Sequence, residues 1–337
     1  MPFFAAPAEE VGATLASPWL WGASILVLLV LLALDFVVTR KPHEVSMREA
    51  VGWSVFYLTL PLVFALCMWL TFGGGPATDF LTGFVVEKSL SVDNLFVFML
   101  ILTGFAVPVE VRQRVLLFGV IGAIALRGVF IALGAAMLQA GTWAFLLFGA
   151  ILLVSAVKLL RDAVSDQSEE QVDVRQMRSV RVLRKLLPVT DDYRGTRIFT
   201  RENGRRAITP LALVVFAVFA ADIVFAVDSV PAVYGITSDP YLVFATNAFA
   251  LMGLRALYFV LQSVLAKLKH LNHGLSIILG FIGVKLVLHW AHGVWPGIPQ
   301  IPTVLSLVVI IVVLAVVTAT SFLFSDSRER SSVETKP

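Results

Sequence analysis

Long apolar stretches recur along this chain of 337 residues, and they constrain its fold more than any other feature. A helix needs roughly 20 apolar residues to cross the ~30 Å hydrocarbon layer of a membrane. Several stretches reach that length with few charges or none. They predict an all-α, polytopic membrane protein with about nine transmembrane helices, at 18–39, 50–72, 80–103, 115–139, 143–160, 209–234, 241–266, 273–292 and 302–324.

The composition supports a membrane protein over a soluble enzyme. The chain is 58% hydrophobic and 15% charged, whereas soluble domains average about 45–50% apolar and about 25% charged residues. It contains no Walker A, HExxH or GxSxG motif and no GxGxxG motif after a strand. We therefore expect no catalytic activity, no bound organic cofactor and no nucleic-acid partner.

The positive charges orient the predicted helices, because Lys and Arg concentrate in cytoplasmic loops. Outside the spans, every Lys and Arg lies in one of five alternating segments, 40–49, 104–114, 161–208, 267–272 and the tail after 324. The intervening segments contain none, and they are the N-terminal segment, 73–79, 140–142, 235–240 and 293–301. This alternation predicts a membrane protein with an outside N-terminus and a cytoplasmic C-terminus.

Ionisable residues inside the spans recur in one order. Twice, two acids six residues apart precede an arginine and then a lysine. The two sets are Glu87, Asp93, Arg127 and Lys158, and then Asp222, Asp228, Arg255 and Lys285. Each set occupies three successive spans, and an odd number of helices reverses the direction of the second copy. The pattern predicts two inverted three-helix repeats, as in secondary transporters whose sites lie near mid-membrane.

The repeats divide the chain into five parts. They are 1–79 with two peripheral transmembrane helices, 80–160 as the first repeat, 161–208 as a cytoplasmic charged loop, 209–292 as the second inverted repeat, and 293–337 with the last helix and a cytoplasmic tail. Within the loop, the sequence VRQMRSVRVLRKLL is typical of a basic surface segment that contacts anionic membrane lipids, although a solvated connector has the same composition.

The acids inside the spans predict a cation site, because a charge at the membrane centre costs roughly 2.5–3.5 kcal/mol. Asp93, Asp222 and Asp228 are interpreted as metal ligands, and Glu87 as a further ligand or a proton carrier. Residues six apart differ by about 120° around a straight helix, so both acids of a pair do not face one point. Asp93 and Asp228 are the first choices, since they hold matching places in the two repeats.

Other residues are predicted to support this site. Neutral oxygens come from Asn94, Ser91, Ser229 and Asn247. Pro231 has no N–H, so it frees the carbonyl of Val227 and is expected to break its helix near mid-membrane. Arg127 and Arg255 are interpreted as positioning the carboxylates.

A structural alternative remains open. In it, the acids only neutralise Arg127, Arg255, Lys88, Lys158 and Lys285 as ion pairs. Asp35 lies outside the repeats and is interpreted as a helix-packing or relay residue.

Three sequence stretches resemble the signatures of the TerC family of bacterial membrane proteins. They are EKSLSVDNLFVF, FAVDSVPAVYGIT followed by SDP, and NAFALMGLRALYF. The layout resembles the Alx branch, to which manganese exporters belong. The resemblance implies Mn²⁺ export coupled to the proton or membrane gradient, with the acidic motif positions at Glu87, Asp93, Asn94, Asp222 and Asp228.

The ligand chemistry agrees with this implication but leaves alternatives. Oxygen ligands favour Mg²⁺, Ca²⁺ or Mn²⁺ over copper or zinc, so transport of another cation such as Ca²⁺ is a second hypothesis. A third is a scaffold for tellurite resistance or membrane-protein assembly, in which the acids form structural ion pairs.

Overall fold

The computed structural model describes residues 14–38, 46–164, 199–202, 205–261, 271–295 and 297–334. The helices are α1 Pro18–Val38, α2 Met47–Phe72, α3 Gly74–Gly104, α4 Val109–Ala140, α5 Trp143–Val164, α6 Pro210–Tyr234, α7 Pro240–Met252, α8 Leu254–Leu261, α9 Leu271–Val294 and α10 Thr303–Glu334. Strands β1 Phe199–Glu202 and β2 Arg205–Ile208 form an antiparallel hairpin, with Phe199 opposite Ile208.

The predicted all-α membrane architecture is confirmed. Within the described residues, eight segments are long and apolar enough to cross a membrane. The remaining predicted span, 80–103, corresponds to helix α3, which is 31 residues long but carries charges in its centre. The predicted span 241–266 is interrupted at Gly253, which separates α7 from α8. The hairpin lies in the predicted charged loop, whose basic stretch 174–187 is outside the described residues.

Local sequence signals set several helix ends. Gly73 joins α2 to α3 with φ of +87°, a left-handed conformation that favours glycine. Asp239 caps α7 by accepting a hydrogen bond from the Tyr241 amide at 2.8 Å, and Pro240 occupies the first helical position, where its missing N–H has no cost. These signals fix the reversals of the chain on one side of the bundle.

The helices of the two predicted repeats pack reciprocally. Helix α3 contacts α7, and α6, its counterpart, contacts α4. The first helices, α3 and α6, also contact each other, as do the third helices, α5 and α9. A two-fold axis between two three-helix units produces this set of contacts. Helices α1, α2 and α10 pack on the outside and expose large apolar side chains, among them Leu26, Leu70 and Val308.

Small residues allow α5 and α9 to approach closely. A Cβ atom added to Gly149 would lie 3.0 Å from the Gly283 carbonyl oxygen, and one added to Gly283 would lie 3.1 Å from the Gly149 carbonyl oxygen. Small residues at helix contacts are typical of membrane proteins, in which tight packing replaces the hydrophobic effect between helices. This contact joins the third helices of the two predicted repeats.

An apolar cluster fills one end of the bundle. It joins the end of α3, the start of α4 and the start of α6 through Phe98, Leu102, Val111 and Val214, all buried. These helix ends adjoin the loops that carry Lys and Arg, and we call this end the basic side. The opposite end, where α3 begins and α6 ends, is called the opposite side.

Candidate functional site

Arg127 lies at the centre of a buried polar cluster where four helices meet. From α4, its Nη1 donates hydrogen bonds to Glu87 Oε1 of α3 and to Asn247 Oδ1 of α7, the latter at 2.8 Å. Its Nη2 lies 3.6 Å from Oδ1 of Asp222 on α6. Each of these side chains is at most 3% exposed. We call Glu87, Arg127, Asp222 and Asn247 the Arg127 cluster.

Helical spacing extends this cluster along α3 and α6. Glu87, Ser91 and Asn94 follow an i, i+4, i+7 pattern, which places them on one face of α3. Asp222 and Ser229 are seven residues apart and share a face of α6. All five are buried, so two polar stripes run through the interior of the bundle.

The polar stripes contain more hydrogen-bonding capacity than the described part of the chain uses. Glu87 Oε2, both carboxylate oxygens of Asp222, Ser91 Oγ, Asn94 Nδ2 and Ser229 Oγ are buried without a hydrogen-bond partner. Buried polar atoms without partners are rare in folded proteins and costly. With both acids ionised, two carboxylates face a single guanidinium, and the Arg127 cluster carries one excess negative charge.

This geometry suits a cation held by two carboxylates and neutral oxygens. Among the described residues, no three His, Cys, Asp or Glu side chains are arranged to hold a metal by themselves. Ser91, Ser229, the carbonyl oxygen of the Asn94 side chain and water are the oxygen donors suited to complete such a site.

Close packing encloses the Arg127 cluster along the bundle. Gly83 lies one turn before Glu87, and a Cβ atom there would be 3.1 Å from Thr246 Cγ2 and 3.3 Å from Val233 Cγ1. Towards the basic side, a Cβ atom on Gly119 would be 2.7 Å from Val218 Cγ1. An ion at the cluster would therefore be occluded in this conformation.

Arg255 forms a separate ion pair. Its Nη2 lies 2.7 Å from Oδ1 of Asp35 and its Nε lies 3.3 Å from Oδ2, so α8 is bound to α1 by both carboxylate oxygens. Its Nη1 donates to Gln113 Oε1 of α4 at 3.3 Å. Among the side chains that the structure describes, Arg255 thus pairs with Asp35 and not with Glu87, Asp222 or Asp228. The pair joins α8 to α1, as the helix-packing interpretation of Asp35 predicts.

Asp228, one of the two favoured aspartates, lies outside the Arg127 cluster. Asp228 is half-buried, and its Oδ1 accepts a hydrogen bond from Ser155 Oγ of α5 at 2.6 Å. It lies on another face of α6 from Asp222, as the six-residue spacing requires. Asp93 belongs to α3, and its side chain is outside the described residues.

Lys88 and Pro231 complete the predicted set. Lys88 Nζ donates to the Ala250 carbonyl oxygen at 3.1 Å, in the last turn of α7. This lysine therefore reaches the interruption at Gly253. Helix α6 continues through Pro231 to Tyr234, so the expected break of the helix at Pro231 is wrong, because the proline lies within one turn of the helix end. The interruption occurs instead at Gly253.

Sequence reasoning missed Gln113 and Ser155. Each contributes an uncharged oxygen to a charged partner. Gln113 fell in the predicted loop 104–114, and no spacing rule marked Ser155 in its span. Asp35 carried a signal, since it is the one acid in its span, but the sequence did not indicate which base it meets.

Comparison with known proteins identifies relatives over most of the chain. Residues 72–329 match the integral membrane protein TerC family. An uncharacterized membrane protein of Myxococcus xanthus is 40% identical over 280 residues, which is 83% of this chain and 86% of the relative. The putative membrane-bound redox modulator Alx of Escherichia coli is 38% identical over 285 residues, 82% of this chain and 87% of the relative. No solved structure matches significantly.

Proposed function

Because this chain belongs to the TerC family of integral membrane proteins, we propose that it is a secondary-active cation transporter that exports Mn²⁺ from the cytoplasm. The supporting observation is the Arg127 cluster, in which Glu87 and Asp222 meet with three carboxylate oxygens that have no hydrogen-bond partner. Carboxylates inside a membrane protein mark ion or proton pathways. The excess negative charge of the cluster favours a cation.

The proposed roles follow from position and chemistry. Asp222 and Glu87 supply charged oxygens next to Arg127, and Asn94 lies on the Glu87 face of α3. Asp93 and Asp228 are proposed as ligands that join the ion when the helices move, because both belong to the acidic motifs. Glu87 is also suited to carry a proton in exchange for the ion, since its Oε2 is buried without a partner. Protons are the proposed coupling ion.

The proposed orientation places the basic side in the cytoplasm of a bacterial inner membrane. The N-terminus is then outside and the C-terminus is cytoplasmic. In this orientation Ser91 and Asn94 lie between the cytoplasm and Glu87. Arg127 holds the two carboxylates together in the empty site, and its own positive charge lowers the cost of keeping both ionised.

Two other functions have different expected results. Another divalent ion such as Ca²⁺ would use the same oxygens. A scaffold function, in tellurite resistance or membrane-protein assembly, would use the acids only as structural pairs. The name of the Alx relatives describes a redox modulator. The single cysteine of this chain, Cys67, is exposed on α2, so the chain has no cysteine pair for internal thiol–disulfide exchange.

Flux through the purified protein tests the proposal. We expect proteoliposomes to transport Mn²⁺ in response to a pH gradient, with weaker flux of Ca²⁺ and Mg²⁺. Asp93→Asn is expected to abolish this flux without reducing membrane insertion. Asp162→Asn is the matched control, because Asp162 is exposed at the end of α5. Wild-type protein that transports no ion would contradict the proposal and favour a scaffold, and preferred Ca²⁺ flux would favour the second ion.

A further inference from the structure

A polar cavity of about 720 Å³ opens on the opposite side of the bundle. Its walls come from the start of α3, the end of α6, the end of α9 and the segment before α10. Ionisable and polar groups that line it include Asp79, Tyr234, Thr237, Lys285, His289 and Gln300. The lining segments adjoin loops that contain no Lys or Arg, so the proposed orientation places this cavity outside the cytoplasm.

Two residues of opposite charge line this cavity. Lys285 and His289 lie one turn apart on α9, and Asp79 lies on α3. The Asp79 carboxylate and the Lys285 ammonium interact through space. We call these two residues the Asp79–Lys285 pair. They are half-buried, which reduces screening of their charges by water.

Asp239, the other acid in the cavity wall, has a different role. Its Oδ2 accepts a hydrogen bond from the Leu15 amide at 2.7 Å and its Oδ1 accepts one from the Tyr241 amide at 2.8 Å. Both oxygens are therefore engaged in holding backbone, which fixes the start of α7 and the segment before α1. Asp79 is the acid of the cavity wall that interacts with the Lys285 ammonium.

The cavity and the Arg127 cluster lie on one line along α3. Asp79 precedes Glu87 by eight residues, a rise of about 12 Å at 1.5 Å per residue. Between them, Gly83 packs against Thr246 and Val233. Thr246 Oγ1 is buried there without a hydrogen-bond partner. A small residue and a spare hydroxyl thus separate the cavity from the cluster.

We propose that the cavity is the outer vestibule of the ion path, where Asp79 binds the departing cation in place of Lys285. This inference rests on the proposed transport function and adds the exit route. When the ion passes Gly83 it meets a carboxylate already balanced by an ammonium. Lys285 competes with the ion for Asp79, so the ion is bound weakly and leaves. Loss of Lys285 would trap the ion at Asp79.

Inhibition of efflux by external Mn²⁺ tests this exchange. Proteoliposomes loaded with Mn²⁺ are diluted into increasing external Mn²⁺, and initial efflux is measured. Lys285→Met is expected to lower the external concentration that halves efflux by at least tenfold, because Asp79 then lacks its competitor. Asp79→Asn is expected to raise that concentration, and the double variant is expected to resemble Asp79→Asn. Arg48→Met is the control, since Arg48 is exposed at the start of α2, on the basic side and away from the cavity.

Equal inhibition in wild type and Lys285→Met would overturn the exchange, as would a double variant that resembles Lys285→Met.

Labelling provides a readout that does not depend on transport. The labelling uses a Cys67→Ser background and a membrane-impermeant cationic thiol reagent added outside. Ser238→Cys and Thr303→Cys, in the cavity wall, are expected to react with it. Val304→Cys, 62% exposed on the bundle surface of α10 and not in the cavity wall, is expected to react more slowly. Transport by the wild type without labelling at either cavity position would reject the vestibule alone, and loss of all flux in the wild type would reject the transport proposal.

Discussion

Arg127 and Arg255 hold the same place in the two predicted repeats, yet the structure gives them different surroundings. Arg127 contacts two carboxylates, Glu87 and Asp222, one from each repeat. Among the described side chains, Arg255 contacts one carboxylate, that of Asp35, from a helix outside the repeats. Each arginine also donates to one side-chain amide, from Asn247 or Gln113.

The difference lies in the balance of charge. Within the described part of the chain the Arg255–Asp35 pair is neutral, and both oxygens of Asp35 are bonded to the guanidinium. The Arg127 cluster has one carboxylate in excess, and most of its carboxylate oxygens have no hydrogen-bond partner. A neutral and satisfied pair is typical of helix packing, whereas buried carboxylates that lack partners are typical of ion or proton pathways. We therefore propose that the same sequence motif serves structure in one repeat and transport in the other.

The largest expected effect is a loss of Mn²⁺ flux when the partners of Arg127 are changed, but not when those of Arg255 are changed. Glu87→Gln or Asp222→Asn removes the excess charge of the Arg127 cluster and makes it neutral, like the Arg255 pair. We expect each variant to reduce Mn²⁺ flux by at least roughly 10–100-fold. Removal of a residue that only supports a metal ligand already lowers metal affinity by that factor. The double variant Asp35→Asn/Arg255→Gln, which removes a neutral pair whole, is expected to retain flux within a few-fold of the wild type.

The control for this comparison is the double variant Glu87→Gln/Arg127→Gln. It removes one charge of each sign, so we expect it to insert and fold but not to transport. Recovery of flux in that variant would show that the cluster is a structural ion pair, and the contrast between the two arginines would be lost. Membrane insertion is measured in each case by the yield of monodisperse protein in detergent.

The second effect concerns stability. Arg127→Gln leaves two buried carboxylates without their cation, and we expect it to destabilise the fold by about 3–5 kcal/mol, the usual cost of breaking a buried pair. Arg255→Gln leaves one carboxylate, which a single proton neutralises, so a smaller cost is expected at low pH. Thermal unfolding in detergent at pH 5 and pH 8 measures both. Equal destabilisation of the two variants at pH 5 would contradict the difference in charge.

Much of the fold could be predicted from the sequence because the membrane imposes it. Helix lengths follow from bilayer thickness, and the spans found here differ from the predicted ones mainly at their ends and at Gly253. The interruption at Gly253 depends on tertiary contacts, since Lys88 reaches the Ala250 carbonyl from another helix. Local sequence contains no sign of that contact.

The residues of the site could be predicted from the sequence, but not which acid pairs with which arginine. The sequence indicated that Glu87, Asp222 and Arg127 lie in the membrane and repeat, and periodicity placed Ser91 and Asn94 on the Glu87 face of α3. It did not determine which acids meet which arginine, because the answer depends on how the two repeats dock. Symmetry alone would have given Arg255 the same partners as Arg127. The asymmetry comes from Asp35, which a peripheral helix brings in.

The smallest expected effect concerns the amide partner of each arginine. Asn247 accepts from Arg127 at 2.8 Å, and its own Nδ2 donates to the Val243 carbonyl at 2.9 Å, so its orientation is fixed. Gln113 accepts from Arg255 at 3.3 Å, a longer and weaker bond. Asn247→Ala is expected to cost about 1.5–3 kcal/mol, as for hydrogen bonds to charged groups, and Gln113→Ala is expected to cost less.

Transport distinguishes the two amides further. Without Asn247, Arg127 is held by carboxylates alone and competes more strongly with the ion for them, so the apparent KM for Mn²⁺ is expected to rise several-fold in Asn247→Ala. Gln113→Ala is expected to leave that KM unchanged, because the Arg255 pair lies outside the ion path. Asn247→Asp adds a carboxylate that binds Arg127 in place of Glu87 or Asp222, and it is expected to lower the KM. A parallel rise of KM in Asn247→Ala and Gln113→Ala would mean that both arginines serve one site, and the two repeats would then be equivalent in function.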